Sequence, residues 1–236
     1  MLLYIRSILF TLFFFAWSAA VSLVICVFLL PLPAKCTRFM ARVWARGSFA
    51  ALRVICGVKS SMQINPAILP PRPFIVAAKH QSAWETMAMH ILVPKPAFIL
   101  KKELAAIPLF GWALRKAGSV VVDRSAGVSA LTGMVREAEE RIAQRYSLVV
   151  FPEGTRTPCG VRQDKYQPGI ALLYDKLKLP VVPVVLNSGR AWPKNSWLKY
   201  PGTIVVKNLE PIPPGLDRRE FLARLTTTME DACAKL

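Results

Sequence analysis

The first 84 residues of this chain contain no aspartate and no glutamate, and Glu85 is the first acid in 236 residues. Histidine is scarcer still, with only His80 and His90. The five cysteines, Cys26, Cys36, Cys56, Cys159 and Cys233, are scattered, with no C-x-x-C and no Cys/His cluster. That spacing excludes a zinc motif local in sequence and offers no disulfide framework, so a reducing, cytoplasm-facing setting is the simplest inference. No internal repeat or low-complexity tract is present, which excludes a solenoid or a disordered array. Charge of either sign is missing from Ser7 to Ala34.

That uncharged run carries Ile8, Leu9, Phe13, Phe14, Phe15, Val24, Phe28 and Leu29 and ends at Pro31 and Pro33. It is long enough to cross a bilayer as a helix. A cleaved signal peptide is the rival, since Arg6 supplies a positive start. The apolar region is too long for that, and five cations follow where a cleavage site would stand, so a retained anchor is expected. Lys35, Arg38, Arg42, Arg46 and Arg53 place the bulk of the chain in the cytoplasm by the positive-inside rule. At helical periodicity these cations share one face, while Met40, Val43, Trp44, Val54 and Ile55 gather opposite and Phe49 and Leu52 break the pattern. The segment reads as an interfacial helix among anionic headgroups or as a surface helix packed on the domain, and the two are compatible.

The formal charge of +17 calls for an anionic partner, and nucleic acid is the usual inference for so basic a chain. Here 53% of the residues are hydrophobic, which points first to anionic membrane lipid or a phosphorylated lipid. Residues 1–60 are therefore read as a hydrophobic anchor and a basic amphipathic helix, and 61–236 as one α/β domain. From Pro73 onward short β-branched runs alternate with helical segments. Strands are expected at Phe74–Ala78, Ala97–Leu100, Ser119–Val122, Leu148–Phe151, Val181–Val185 and Thr203–Val206. Helices are expected at Ser82–Leu92, Gly111–Ala117, Ala126–Arg145, Gly169–Lys176 and Arg218–Ala234. Such alternation predicts a largely parallel sheet flanked by helices.

Four stretches carry chemistry. In the first, Lys79-His80-Gln81-Ser82-Ala83-Trp84-Glu85, the histidine falls at a strand-to-helix turn, where α/β sheets bind ligands. His80 with Glu85 five positions on makes a general base and its orienting carboxylate. Ser82-Ala83-Trp84-Glu85 also fits a capping box, in which Glu85 only satisfies a backbone N–H at the helix start. In the second, Phe151-Pro152-Glu153-Gly154-Thr155-Arg156, Gly154 permits close backbone approach and Arg156 offers a planar fork for phosphate oxygens. The third, Gly118 to Arg124, is a glycine, a strand and an Asp-Arg pair. The fourth places Pro183 inside a strand-like run, which predicts an edge or a bulge.

Together these blocks resemble the glycerophospholipid acyltransferase family, most closely the bacterial 1-acyl-sn-glycerol-3-phosphate acyltransferases. The resemblance covers about residues 70–190 and is most specific at Phe151–Arg156; Glu85 stands where the family more commonly has Asp. It implies transfer of an acyl group from acyl-CoA or acyl carrier protein to the sn-2 hydroxyl of lysophosphatidic acid, with His80 as base and Glu85 holding its tautomer. Arg156, supported by Lys101 and Arg124, is implied to bind phosphate, with Gly154, Glu153 and Thr155 in the same substrate loop. Glu153 is the one read as bracing the loop or Arg156. No cofactor and no metal is required, and the resemblance implies a bacterial inner membrane with the catalytic domain on its cytoplasmic side. Ser82 reads as a helix cap rather than a nucleophile, and His90 as a plain helix residue. Rival readings are an acyltransferase for glycerol 3-phosphate, a lyso-amino-lipid or another lysophospholipid, and a non-catalytic protein binding anionic lipid. A nucleic-acid binder is set aside because it gives His80 no role.

Overall fold

The computed structural model describes residues 1–123 and 127–236. Arg124 and Ala126, named in the sequence reading, lie outside the described residues. The chain opens with α1 (Leu2–Val24), continued by one π-helical turn (Ile25–Leu29), and then α2 (Ala34–Cys56). After β1 (Val58–Gln63), β2 (Ile75–Ala78) leads into α3 (Trp84–Leu92), and β3 (Pro96–Lys101) into α4 (Lys102–Ala105) and α5 (Phe110–Ala117). β4 (Val120–Val122), α6 (Gly127–Ala143), β5 (Ser147–Val150), α7 (Pro168–Leu177) and β6 (Val181–Leu186) follow. The chain closes with α8 (Ser188–Ala191), β7 (Gly202–Asn208) and α9 (Arg218–Cys233).

Among the described residues seven strands form one sheet in the order β1-β7-β6-β2-β5-β3-β4. Five run parallel; β7 is antiparallel to β6, and β1 is parallel to β7. The six strands expected from sequence are all present, because each is a β-branched run bounded by turn residues. β1 was not expected. Its Val58-Lys59-Ser60-Ser61-Met62-Gln63 sits at an edge with mostly exposed side chains, so it shows no period-2 alternation.

Alternation along β2 explains the layering. Ile75 and Ala77 face a core built from α6, α7 and α9, including Ala138, Leu173 and Phe221. Val76 and Ala78 face a second core with Leu52 of α2, Trp84 of α3 and Phe10 of α1. The hydrophobic N-terminal helix thus contributes to a domain core, although most of its large side chains, such as Leu9, Leu12, Phe15 and Phe28, are exposed. Leu2–Leu29 is long and apolar enough to cross a membrane.

α1 and α2 pack closely. Trp17 Nε1 donates to the Trp44 carbonyl at 3.1 Å, and Trp44 Nε1 donates to Ser18 Oγ at 2.9 Å. Gly47 makes the approach possible, since a Cβ there would lie 2.9 Å from Trp17 Nε1. The buried stripe of α2 is Thr37, Ala41, Ala45, Ser48, Leu52 and Cys56, not the large apolar face inferred from sequence. Val54, assigned to that face, is 83% exposed, whereas Leu52 is 1% exposed. Small residues win because α2 lies close against neighbouring helices. One of its cations is also turned back onto the domain: Arg38 donates to Tyr146 Oη at 2.6 Å.

Of the edge or the bulge expected for Pro183, the structure shows the bulge. β6 lies inside the sheet, with Pro183 beside Ala77 of β2. Its missing N–H is tolerated because the ladder to the chain on the other side is interrupted there. Val184 stands opposite Asn208, but Val181 pairs with Ile212, one residue out of step.

β2 and β5 are direct parallel neighbours, with Ala77 opposite Val150. Their carboxyl ends therefore release the 79–83 and 151–157 loops side by side.

His90 is buried in α3, its ring 4.8 Å from Phe98 and 6.3 Å from Trp44. Burial, and then nearby Arg42, push its pKa down to about 4 from 6.5. The unfolded chain therefore takes up a proton that the folded one refuses until about pH 4. Folded-state stability falls as pH drops through this window, by about 3 kcal/mol in all. His90→Gln is expected to flatten the fall in melting temperature between pH 6.5 and 4, measured by thermal unfolding.

Candidate active site

The main chain of His80 is held from both sides by the neighbouring loop. Its N–H donates to Glu153 Oε2 at 2.7 Å, and its carbonyl accepts from Thr157 N at 2.8 Å. Phe151, the first residue beyond β5, stacks on the imidazole with centroids 4.2 Å apart and planes 19° apart. Gly154 closes the turn, its N–H bonding to the Phe151 carbonyl at 3.0 Å with φ +71°, a conformation glycine adopts without steric cost.

On the imidazole edge, Nδ1 lies 2.8 Å from Glu85 Oε1. That same oxygen accepts from the N–H groups of Gln81 and Ser82, both at 2.7 Å. Oε2 accepts from Ser82 Oγ at 2.9 Å and Ser188 Oγ at 2.7 Å. Burial raises the Glu85 pKa, but the hydrogen bonds from His80, Ser188 and Ser82 outweigh it and leave the carboxyl below its ordinary value. An ionised acceptor at Nδ1 fixes that nitrogen as the donor, which leaves Nε2 with its lone pair. The histidine side chain keeps 16% of its surface exposed against 0% for Glu85.

Glu85 therefore makes both of the contacts weighed from the sequence. It accepts the Ser82 N–H as a capping-box acid does, and it orients His80 with the same oxygen. The structure starts α3 one residue later than a Ser82 cap would, with Ala83 at the cap position and Ser82 Oγ accepting from Trp84 N at 2.9 Å. The Ser82 hydroxyl proton is directed to Glu85, so Ser82 is not aimed at the base.

Glu153, placed in the substrate loop and read as bracing that loop or Arg156, is a buried carboxylate whose partners are the loop and Lys79. It is 6% exposed, forms an ion pair with Lys79, accepts from Thr157 Oγ1 at 2.9 Å and holds the His80 N–H. Its carboxylate is consumed by the loop and has no face toward a ligand.

Two residues beyond His80 a cleft of about 440 Å³ opens. Ser82 and Ala83 line it next to Arg156, with Phe10, Phe14 and Phe15 of α1 as an aromatic wall. Trp192, Lys194 and Lys199 line it as well. Lys194 Nζ reaches Thr155 Oγ1 at 3.4 Å, tying that rim to the Gly154–Arg156 turn. Lys199 is 3% exposed, donates to the Trp197 carbonyl at 2.9 Å and sits 5.0 Å over the Trp192 ring. Burial pulls its pKa below the usual lysine value.

The structure thus brings His80, Glu85, Gly154, Thr155 and Arg156 together. Lys101 ends β3, exposed on the same carboxyl edge, two strand spacings or roughly 10 Å from β2. Arg124 lies outside the described residues. Lys194 and Lys199 were missed because they fall after the four blocks; the alternation of tryptophan and lysine from Trp192 to Lys199 is the signal that could have found them. Among the described residues no group of three or more His, Cys, Asp or Glu is placed to hold a metal ion.

The chain matches the sequence profile of the acyltransferase family over residues 63–187. It is 36% identical over 204 residues to the 1-acyl-sn-glycerol-3-phosphate acyltransferase of Pseudomonas aeruginosa, covering 86% of this chain and 78% of that one. A similarly named enzyme of Cocos nucifera is 34% identical over 140 residues, 58% of this chain and 45% of that one. Among solved structures, the 1-acyl-sn-glycerophosphate (LPA) acyltransferase PlsC of Thermotoga maritima superposes with a TM-score of 0.71 at 27% identity. That match covers 95% of this chain and 96% of the other. The profile begins at the last residue of β1, takes in both loops that converge on His80, and ends just beyond β6. On that match, and on the Pseudomonas relative, the chain belongs to the acyltransferase family.

Proposed function

We propose that this chain transfers a fatty acyl group from a thioester, acyl-CoA or acyl carrier protein, to the sn-2 hydroxyl of lysophosphatidic acid, giving phosphatidic acid. One observation carries the reading: two residues beyond a carboxylate-oriented imidazole, Ser82 and Ala83 line a cleft whose lining also holds Arg156, Lys194 and Lys199 together with aromatic side chains of an apolar helix.

The reaction follows from those groups. Nε2 of His80 takes the acceptor's hydroxyl proton as its oxygen attacks the thioester carbonyl carbon. The tetrahedral species collapses with cleavage of the C–S bond, and the imidazolium returns its proton to the departing sulfur. Glu85 stabilises the imidazolium between these steps and keeps Nδ1 protonated throughout. The acceptor's own oxygen is the nucleophile, so no covalent acyl-enzyme is needed.

Arg156 is the principal ligand for the acceptor's phosphate monoester, because its fork can donate two parallel hydrogen bonds. Lys194 and Lys199 add positive charge on the same cleft. The exposed apolar side chains of α1 suit lipid, and the exposed cations Lys35, Arg46 and Arg53 of α2 suit anionic headgroups. These features support an enzyme working at the cytoplasmic face of a bacterial inner membrane, with a lipid acceptor entering the cleft beside α1.

Product analysis with the purified full chain, lysophosphatidic acid and each donor tests the reading directly. Formation of phosphatidic acid is expected; acylation of only another lysolipid would reassign the acceptor. His80→Ala should lower turnover by roughly 10²–10⁴-fold in a protein that still folds. Glu85→Gln should lower kcat by about 10²-fold or more and also reduce melting temperature, since Glu85 ends five hydrogen bonds. Ser188→Ala spares the oxygen that holds His80. It should cost about 1 kcal/mol of stability and leave kcat within a few-fold, read by the same melting and kinetic measurements.

Arg156→Lys should raise the acceptor's KM despite keeping the charge, and Arg156→Ala should raise it further. A charged hydrogen bond is worth roughly 1.5–3 kcal/mol, so a loss on the order of tenfold to a hundredfold in kcat/KM is expected. Steady-state kinetics with both substrates varied is the check, and unchanged acceptor kinetics in Arg156→Ala would move the phosphate site elsewhere.

A further inference from the structure

The C-terminal helix α9 lies beyond the family profile, yet it reaches the base from behind. Its apolar face, Phe221, Leu225 and Met229, enters the core beneath β6. Glu230 follows on, a carboxylate only 5% exposed. Oε1 of Glu230 accepts from Lys79 Nζ and from Tyr166 Oη, both at 2.7 Å. Lys79 is 1% exposed and pairs at the same time with Glu153, the residue that holds the His80 N–H. Burial would lower the Lys79 pKa, but the two carboxylates outweigh it and hold it above the ordinary value. Three residues on, one helical turn along the same face, Cys233 Sγ accepts from Gln81 Nε2 at 3.6 Å. The other end of that amide accepts from Gly189 N at 3.0 Å. The residues on both sides of His80 are therefore gripped by one helix.

Buried ion pairs of this kind add little stability over well-packed apolar residues, since desolvation offsets most of the attraction. Their geometry is what apolar packing cannot supply. We propose that Glu230 is a positioning residue for acyl transfer. Through Lys79 it fixes Glu153, and through Glu153 the main chain of His80, so that α9 sets where Nε2 stands in the cleft. The inference rests on the catalytic role of His80 given above.

The test uses the full chain in detergent micelles, wild type beside Glu230→Leu, Glu230→Gln and Tyr166→Phe. Glu230→Leu fills the space but accepts no hydrogen bond. Its kcat should fall about tenfold or more, with both KM values within about twofold, when it is assayed well below its melting temperature. Glu230→Gln can still accept from Lys79 and Tyr166 and should recover to within about threefold of wild type. Tyr166→Phe removes one hydroxyl and should lower kcat about two- to fivefold at unchanged KM, which keeps the test open if Glu230→Leu does not fold.

A second readout needs no substrate. The rate at which diethyl pyrocarbonate modifies His80, followed by mass spectrometry with buried His90 as internal control, should change about threefold or more in Glu230→Leu and return in Glu230→Gln. Wild-type kcat and wild-type His80 reactivity in the folded variants would overturn the proposal. A wild-type chain that fails to acylate lysophosphatidic acid but shows the reactivity change would count against the proposed substrate and not against Glu230.

Discussion

A single hydrogen bond between the ends of two adjacent parallel strands, from the His80 N–H to Glu153, governs the geometry of this protein's site. It joins the loop that carries the imidazole to the loop that carries Arg156. The return bond from Thr157 to the His80 carbonyl closes the pair. With the main chain fixed, Glu85 needs only to set the imidazole edge and Phe151 its face. Two buried carboxylates thus divide the work: Glu153 decides where His80 is, and Glu85 decides which nitrogen is free. Neither can be replaced by a neutral side chain without leaving several donors unsatisfied in a region closed to water.

The cleft joins two chemistries that a soluble enzyme would keep apart. Arg156, Lys194 and Lys199 share its lining with the aromatic side chains Phe10, Phe14 and Phe15 of α1. An amphiphile with a phosphate at one end and hydrocarbon at the other matches that mixture. The excess positive charge, read at first as a general sign of an anionic partner, is concentrated in part where a substrate anion would sit. The lysines on this rim contrast with Lys79, whose charge is matched by two carboxylates inside the fold.

Local signals made much of this legible in the sequence. β-branched runs between turn residues marked six of the seven strands, and the spacing of His80 to Glu85 marked the dyad. What escaped was settled by tertiary contacts. β1 is too polar to look like a strand until β7 is beside it. Val54 looks more apolar than Ala41 or Ala45, yet the close approach of neighbouring helices selects the smaller residues. Glu153 reads as a brace from its motif alone, but only the fold shows that it pairs with Lys79. Glu230 carries no local signature; its partners stand 151 and 64 positions away.

Phe10 ties the hydrophobic helix to the enzyme in a way that matters for anyone handling the protein. Its ring is fully enclosed, 5.3 Å from Trp192 and 5.9 Å from Phe14, within the same core as Val76 and Trp84. Trimming the greasy N-terminus to obtain a water-soluble fragment would therefore open the core beneath β2 and strip one wall from the cleft. Solubility has to be engineered on the outward side of α1, at positions such as Leu9 and Leu12, leaving the aromatic residues of the cleft and core in place. The one helix long and apolar enough among the described residues to cross a membrane is also a wall of the core and of the cleft, so a change in the bilayer or detergent around it would act on the shape of that cleft.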